Sequence, residues 1–483
     1  MVENKIIRFI VIPVAVFLYL NLFRNALVDD SFIVLRYVKT ILQSGTWGML
    51  PGYTANTATS PLNVLLLVLI TFLVKSEIYA VVILCTVCLC IAMAMLSSIS
   101  RKFFSNELYG LLAVTAVIFN PFIVSTMGLE AILFLTIFII SFYCFISMKW
   151  LLLALSLGLL TITRADGILI FGIYLVFVPA GKNRWSTVFV YLLSIAPWYL
   201  FSWICLGSLL PDTLFIKLWQ KEWWGLNFFN GLSHYLTKYP VETVLSFCFL
   251  PLVFISFFAK NVFKKQYFIL GLIGILHFIC YSLLHVPPYH WYYSIEIVVV
   301  IILGSFSVGL FCEKALLSHS SRNVIRWILI ILFLIPPVGS FYLSFKDNFC
   351  FKEMPIHTNW ATREQYETVA LWLNKFHKGA SILQQGEIGT LAFYSDCFLF
   401  NEFSDRRIIT ERVSTKTKES PFLSLLYKAN FLFLTNFGRE KRPTYDYRLV
   451  VKKNRIRADS IHGVMWLSSS KWMPNTMIIF EKI

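Results

Sequence analysis

Apolar positions along this chain run on in long blocks instead of alternating or returning to one helical face. Such blocks cover about 78–98, 108–127, 131–148, 150–163, 167–180, 185–206, 241–259, 266–285, 291–312 and 327–345. Most approach the about 20 residues with which an α-helix crosses a bilayer. A further block, Ile6 to Phe23, follows Lys5 and encloses Arg8. Arg24-Asn25 and then Asp29-Asp30 come after it in place of a small-residue cleavage site, so it reads as an uncleaved first span. Together these runs predict about eleven spanning helices. Pro61 to Val74 is shorter. At about 1.5 Å per residue it reaches about 21 Å against the ~30 Å of the hydrocarbon core, and is expected to be a re-entrant or interfacial helix.

The polar stretches have their own pattern. From Ser31 to Gln43, Arg36, Lys39, Thr40 and Gln43 share one helical face while Phe32, Leu35, Val38 and Leu42 largely oppose it, which predicts an amphipathic helix in the membrane interface. It should stop at Ser44-Gly45 and pass through a Gly-, Pro-, Thr- and Asn-rich loop, Gly48 to Ser60, to Pro61. From about Lys346 charges return and apolar runs shorten. A helix over Trp360–Lys378 closed by Gly379, with strands at Ser381–Gln384, Cys397–Phe400, Asn430–Leu434, Val464–Ser468 and Met477–Phe480, predicts a small soluble α/β domain. The expected organisation is thus a transmembrane module over 1–345, with the 24–77 loop, and a C-terminal domain over 346–483.

Composition agrees. Of 483 residues, 58% are hydrophobic and 14% charged, with a mean hydropathy of +0.70, which excludes a water-soluble enzyme for most of the length. The net charge of +16 does not point to nucleic acid, because Lys and Arg fall in short clusters between apolar runs. Lys5/Arg8, Arg101/Lys102, Lys149, Lys182/Arg184, Lys260/Lys264/Lys265 and Lys314/Arg322/Arg326 all come to one side when Pro61–Val74 is not counted as a span. By the positive-inside rule that side is the cytoplasm. The N-terminus is then cytoplasmic, and the 24–77 loop, the 207–240 segment and the tail lie outside.

Ionisable groups beside a bilayer are costly and therefore functional candidates. With this parity Asp29, Asp30, Arg36, Glu130, Arg164, Asp166, Asp212, Lys217, His285, His290 and Glu296 emerge on the outer side. Other readings stay open: an N-cap for the acidic pair, mutual pairing of Arg164 and Asp166, snorkelling of Arg36 and Lys217, and an aromatic belt for His290 to Tyr293. Cys85, Cys88 and Cys90 have metal-like spacing but sit in an apolar span without polar company. Cys350 and Cys397 both belong to the outer tail, where a disulfide is open. There is no Walker A loop, no dinucleotide-binding glycine pattern, no His-Glu-x-x-His and no Gly-x-Ser-x-Gly, so nucleotide-driven chemistry has no support.

An ordered set of motifs carries a resemblance. Asp29-Asp30-Ser-Phe-Ile-Val-Leu-Arg36-Tyr37, Thr59-Ser60-Pro61-Leu62, Met127-Gly128-Leu129-Glu130, Arg164-Ala165-Asp166-Gly167, Gly207 to Thr213 with Lys217, His290-Trp291-Tyr292-Tyr293, Gly386-Glu387-Ile388-Gly389 and Tyr394-Ser395-Asp396 follow one another. The sequence resembles bacterial GT-C fold glycosyltransferases of the arabinofuranosyltransferase-like group. Asn56 and Asp212 depart from the commoner Glu and Asn at those positions.

The resemblance implies an enzyme of the bacterial inner (cytoplasmic) membrane that moves one sugar, a pentose such as arabinofuranose, from a polyprenyl-phosphate donor to a glycan or surface-protein acceptor at the outer, periplasmic face. One of Asp29 and Asp30 would be the general base of an inverting displacement, with Arg36, Arg164, Lys217 and His290 neutralising phosphate. Glu130, Asp166 and Tyr292 would orient donor or acceptor, and a divalent cation at Glu130 stays open. The competing readings are a multi-pass transporter or a lipid-linked glycan flippase or polymerase.

Overall fold

The computed structural model describes residues 10–220, 225–258, 264–314, 319–346, 352–416, 421–434, 443–453 and 463–483. Cys350 and the basic residues Lys5, Arg8 and Lys260 lie outside them. Among the described residues, five helices are long and apolar enough to cross a membrane: Glu77–Phe104, Lys182–Cys205, Lys265–Leu283, His290–Cys312 and Arg326–Phe345. Shorter apolar helices of 10–17 residues stand at Ile12–Leu22, Pro61–Val74, Leu108–Ile118, Ala131–Ile146, Trp150–Thr163, Gly167–Phe177 and Pro240–Phe254. The chain is a multi-pass α-helical membrane protein.

Local chemistry sets the breaks. Pro61–Val74 forms as one helix with Pro61 in its first turn, where a missing N–H costs nothing. The 108–127 run, expected as one span, is instead interrupted. The Asn120 side chain accepts from the Phe122 and Ile123 amides and starts a separate short helix, Pro121–Val124.

The fold divides into two compact units. One comprises 1–24, 82–194 and 221–356 and holds most of the apolar helices. The other gathers 25–81, 195–220 and 357–483. It contains a five-stranded sheet in the order β2-β1-β3-β5-β4, with β1 at Ser381–Gln385, β2 at Phe398–Phe400, β3 at Tyr447–Lys453, β4 at Val464–Ser468 and β5 at Thr476–Lys482. β1 pairs parallel with β2 and β3, and β5 pairs antiparallel with β3 and β4. The helix Arg363–Phe376, begun by a capping box between Thr362 and Gln365, buries Tyr366, Val369, Ala370 and Leu373.

One expected strand is absent and another was not foreseen. Asn430–Leu434 is not a strand: Asn430 ends the helix Pro421–Asn430, and Phe431 enters a cluster with Phe215, Ile216 and Ile409. A short aromatic run satisfies either environment, and here burial against another helix decides. β3, by contrast, begins with Tyr447-Arg448 and ends with Lys452-Lys453, so its apolar centre is too brief to stand out.

Candidate functional site

The acidic pair opens the helix Asp29–Ser44, where its charge complements the positive end of the helix dipole. Gly45, left-handed at φ 68, closes the helix by donating its amide to the Ile41 carbonyl at 2.9 Å. The two carboxylates then part ways. Asp29 is 2% exposed, and both its oxygens are occupied: Oδ2 accepts from the Gly389 amide at 2.9 Å and Oδ1 from the Thr390 amide at 2.8 Å. Asp30, one residue on, is partly exposed.

Gly389 is obligatory for this contact. A Cβ there would stand 1.9 Å from the Asp29 carbonyl oxygen. Glu387, from the same Gly-Glu-Ile-Gly motif, accepts from the Trp360 amide at 2.9 Å and the Tyr366 hydroxyl at 2.7 Å. Burial first, and the Asp29 charge second, hold the Glu387 carboxyl well above the usual carboxylate range. Burial also raises Asp29, but the amides of Thr390 and Gly389 oppose that rise.

Two of the four cations expected to meet the phosphate, Arg36 and Lys217, belong to the same unit. Arg36 is buried and donates Nε–H to the Met49 carbonyl at 2.8 Å, fixing the loop after the helix. Lys217 is partly buried on the helix Asp212–Gln220. That helix is pinned by Asp212, which is fully buried and takes the Arg406 fork at 2.7 and 3.2 Å. Asp212 also accepts from the Asn56 amide at 3.0 Å and returns its own amide to the Asn56 carbonyl at 2.7 Å. The two positions that depart from the family pattern thus bond to each other.

The other unit assembles Glu130, Arg164, Asp166 and Tyr292. Arg164 Nε and Nη2 grip Asp166 at 3.2 and 2.8 Å, Nη2 also donates to the Tyr281 hydroxyl at 2.8 Å, and Nη1 lies 3.6 Å from Glu130 Oε1. The guanidinium stacks over Phe134 and Tyr292, each at 5.3 Å. Burial alone would raise the Asp166 carboxyl, yet Arg164 and the His277 hydrogen bond hold it well below the usual range. His277 joins Asp166 at 3.2 Å through Nε2 to Glu296 at 2.6 Å through Nδ1. Both ring nitrogens face carboxylate oxygens, an arrangement that calls for a proton on each. His290 is fully buried, with Nε2 3.3 Å from the Ser125 carbonyl.

Sequence reasoning did not single out His277, Tyr281 or Arg406. A lone His inside the apolar run 266–285, with a Tyr four residues later on the same face, was the available signal for the first two. Arg406 had none, because its partner is Asp212, far away in sequence. Among the described residues no three His, Cys, Asp or Glu side chains are placed to hold a metal ion.

No family model and no curated protein matches the sequence. Solved structures do. ArnT from Cupriavidus metallidurans, bound to undecaprenyl phosphate, superposes with a TM-score of 0.60 at 12% identity, covering 99% of this chain and 98% of that one. Its apo state gives 0.60 at 13% identity over the same shares. The arabinofuranosyltransferase AftD from Mycobacteria gives 0.52 at 11% identity over 98% of this chain and 39% of AftD, so the chain spans about two fifths of AftD's length. The GT-C fold implied by the motifs is the fold of this chain.

Proposed function

We propose that this chain is a membrane glycosyltransferase that takes one sugar from a polyprenyl-phosphate carrier and passes it to an acceptor hydroxyl at the outer face of the bacterial cytoplasmic membrane, with Asp30 as general base. The observation that carries the donor class is the likeness to ArnT, spanning nearly the whole of both chains and including a state with undecaprenyl phosphate. The assignment of the base rests on the contrast within the acidic pair. Asp29 has both oxygens committed to backbone amides, whereas Asp30 is the more exposed carboxylate at the same helix start.

In the proposed step Asp30 accepts the acceptor's hydroxyl proton as that oxygen attacks the anomeric carbon. The bond from that carbon to the phosphate oxygen breaks, and polyprenyl phosphate leaves with the electron pair. One displacement inverts the anomeric centre. A phosphate needs no protonating acid to leave, only cations to meet its charge, and Arg36 and Lys217 supply them. Arg164 is less suited to that task. Its guanidinium is already engaged by Asp166 and Glu130, in a cluster that also holds Glu296 against His277, so a phosphate would compete with carboxylates for it. Arg164 and Tyr292 are proposed to hold donor or acceptor in place, with a pentose as donor sugar and an envelope glycan or surface protein as acceptor.

The test is to incubate the purified chain with a panel of polyprenyl-phosphate sugars. Consumption of one of them, with release of polyprenyl phosphate and an inverted product, is expected. No turnover of any donor, together with substrate flux across liposomes, would replace the enzyme by a transporter.

A further inference from the structure

We propose that residues 421–434 of the C-terminal domain form a membrane-interface anchor whose apolar face lies among lipid headgroups and upper acyl chains. The helix Pro421–Asn430 and the turn after it have two unlike sides. Inward, Phe431 joins Phe215, Ile216 and Ile409, with Tyr427 and Leu434 packed alongside. The segment is held by its backbone as well: Leu209 donates to the Asn430 carbonyl at 3.1 Å and Leu210 to the Asn430 side chain at 2.8 Å. Outward, Leu425 (66%), Leu426 (51%), Leu432 (62%) and Phe433 (44%) are exposed. Four large apolar side chains presented on a rigid support call for a cover.

What covers them follows from their neighbour. Trp203, near the end of the apolar helix Lys182–Cys205, donates its indole N–H to the Ala429 carbonyl at 2.9 Å, and its ring meets Phe433 edge-on at 5.1 Å. That helix qualifies as a membrane span and is almost unburied within the protein. Its Phe201 (43%) and Ile204 (56%) are therefore lipid-facing, and the exposed Leu and Phe of 421–434 continue that apolar surface past the helix end. A Trp joining the two fits the headgroup level, where its ring is apolar and its N–H is satisfied.

Charge complements this. Lys428 is exposed on the segment, and in sequence Lys416 and Lys418 precede it while Arg439, Lys441 and Arg442 follow, against Glu419 and Glu440. An exposed cation beside an apolar face, within a stretch of net basic sequence, suits anionic lipid. The proposal rests on the chain being membrane-embedded and is independent of the transfer reaction.

The test uses the full chain reconstituted in phosphatidylcholine–phosphatidylglycerol vesicles, with and without bromine on the acyl chains. A fluorescent amino acid replaces Leu426, Phe433 or, as a reference, Lys378, all exposed positions whose replacement spares the core. Emission at 426 and 433 should lose most of its intensity in brominated vesicles while that at 378 is unchanged. Equal brightness at all three positions would overturn the proposal and assign the face to a second copy or a protein partner.

Discussion

Two carboxyls from distant parts of the chain, Asp29 and Glu387, are buried, and burial raises both above the usual carboxylate range. For Glu387 the sign of the pH effect follows from its raised value. The folded state keeps its proton above the ordinary 4.5 at which the unfolded chain gives it up, so stability is greatest below that pH and declines as pH rises toward the folded value. Glu387→Gln, which keeps an acceptor for Tyr366 and Trp360, should unfold no earlier than wild type at neutral pH and lose part of the alkaline decline, as read from thermal unfolding in detergent at a series of pH values. His277→Ala should behave oppositely. It strands Asp166 and Glu296 without their shared partner, a loss of about 3–5 kcal/mol measurable by the same melts. Of these residues the sequence announced Asp29, Asp166 and Glu387 through their motifs and Glu296 as an ionisable group beside the bilayer. It could not rank Asp29 against Asp30, because the amides that distinguish them come from 360 residues further along.

At the scale of elements, the Asp29–Ser44 helix and the short helix Gly389–Tyr394 meet at a distance that only glycine permits. Gly389→Ala pushes a methyl group against backbone that cannot rotate away. A destabilisation of about 1–3 kcal/mol or more is expected, checked by thermal unfolding, with donor turnover falling alongside as the acidic helix shifts. Elements with strong end signals were legible: Pro61 started a helix ending at Val74, and Gly45 stopped the amphipathic one. Those whose identity depends on a remote partner were not. Phe431 is buried by Phe215 and Ile216, and nothing in its own neighbourhood distinguishes that fate from a strand.

For the whole molecule, apolar run length was enough to read a multi-pass protein, and motif order was enough to read its GT-C fold. Run length overstated continuity where Asn120 and Pro121 break a helix without breaking the hydropathy. The distribution of Lys and Arg makes a further claim, that the C-terminal domain is extracytoplasmic. Alkaline phosphatase fused after Ile483 should be active in whole bacteria and a green fluorescent protein fused there dark, and the reverse pattern would invert the topology.

The central claim is that this fold transfers a lipid-linked sugar with Asp30 as its base, and the most direct measurement compares donor turnover by wild type, Asp30→Asn and Asp29→Asn under one set of conditions. Wild type should turn over a polyprenyl-phosphate sugar, and Asp30→Asn should be folded but slower by about 10²–10⁴-fold. Asp29→Asn should lower the unfolding midpoint, because an amide nitrogen then faces a backbone N–H. An Asp30→Asn enzyme that turns over donor at the wild-type rate would contradict the account.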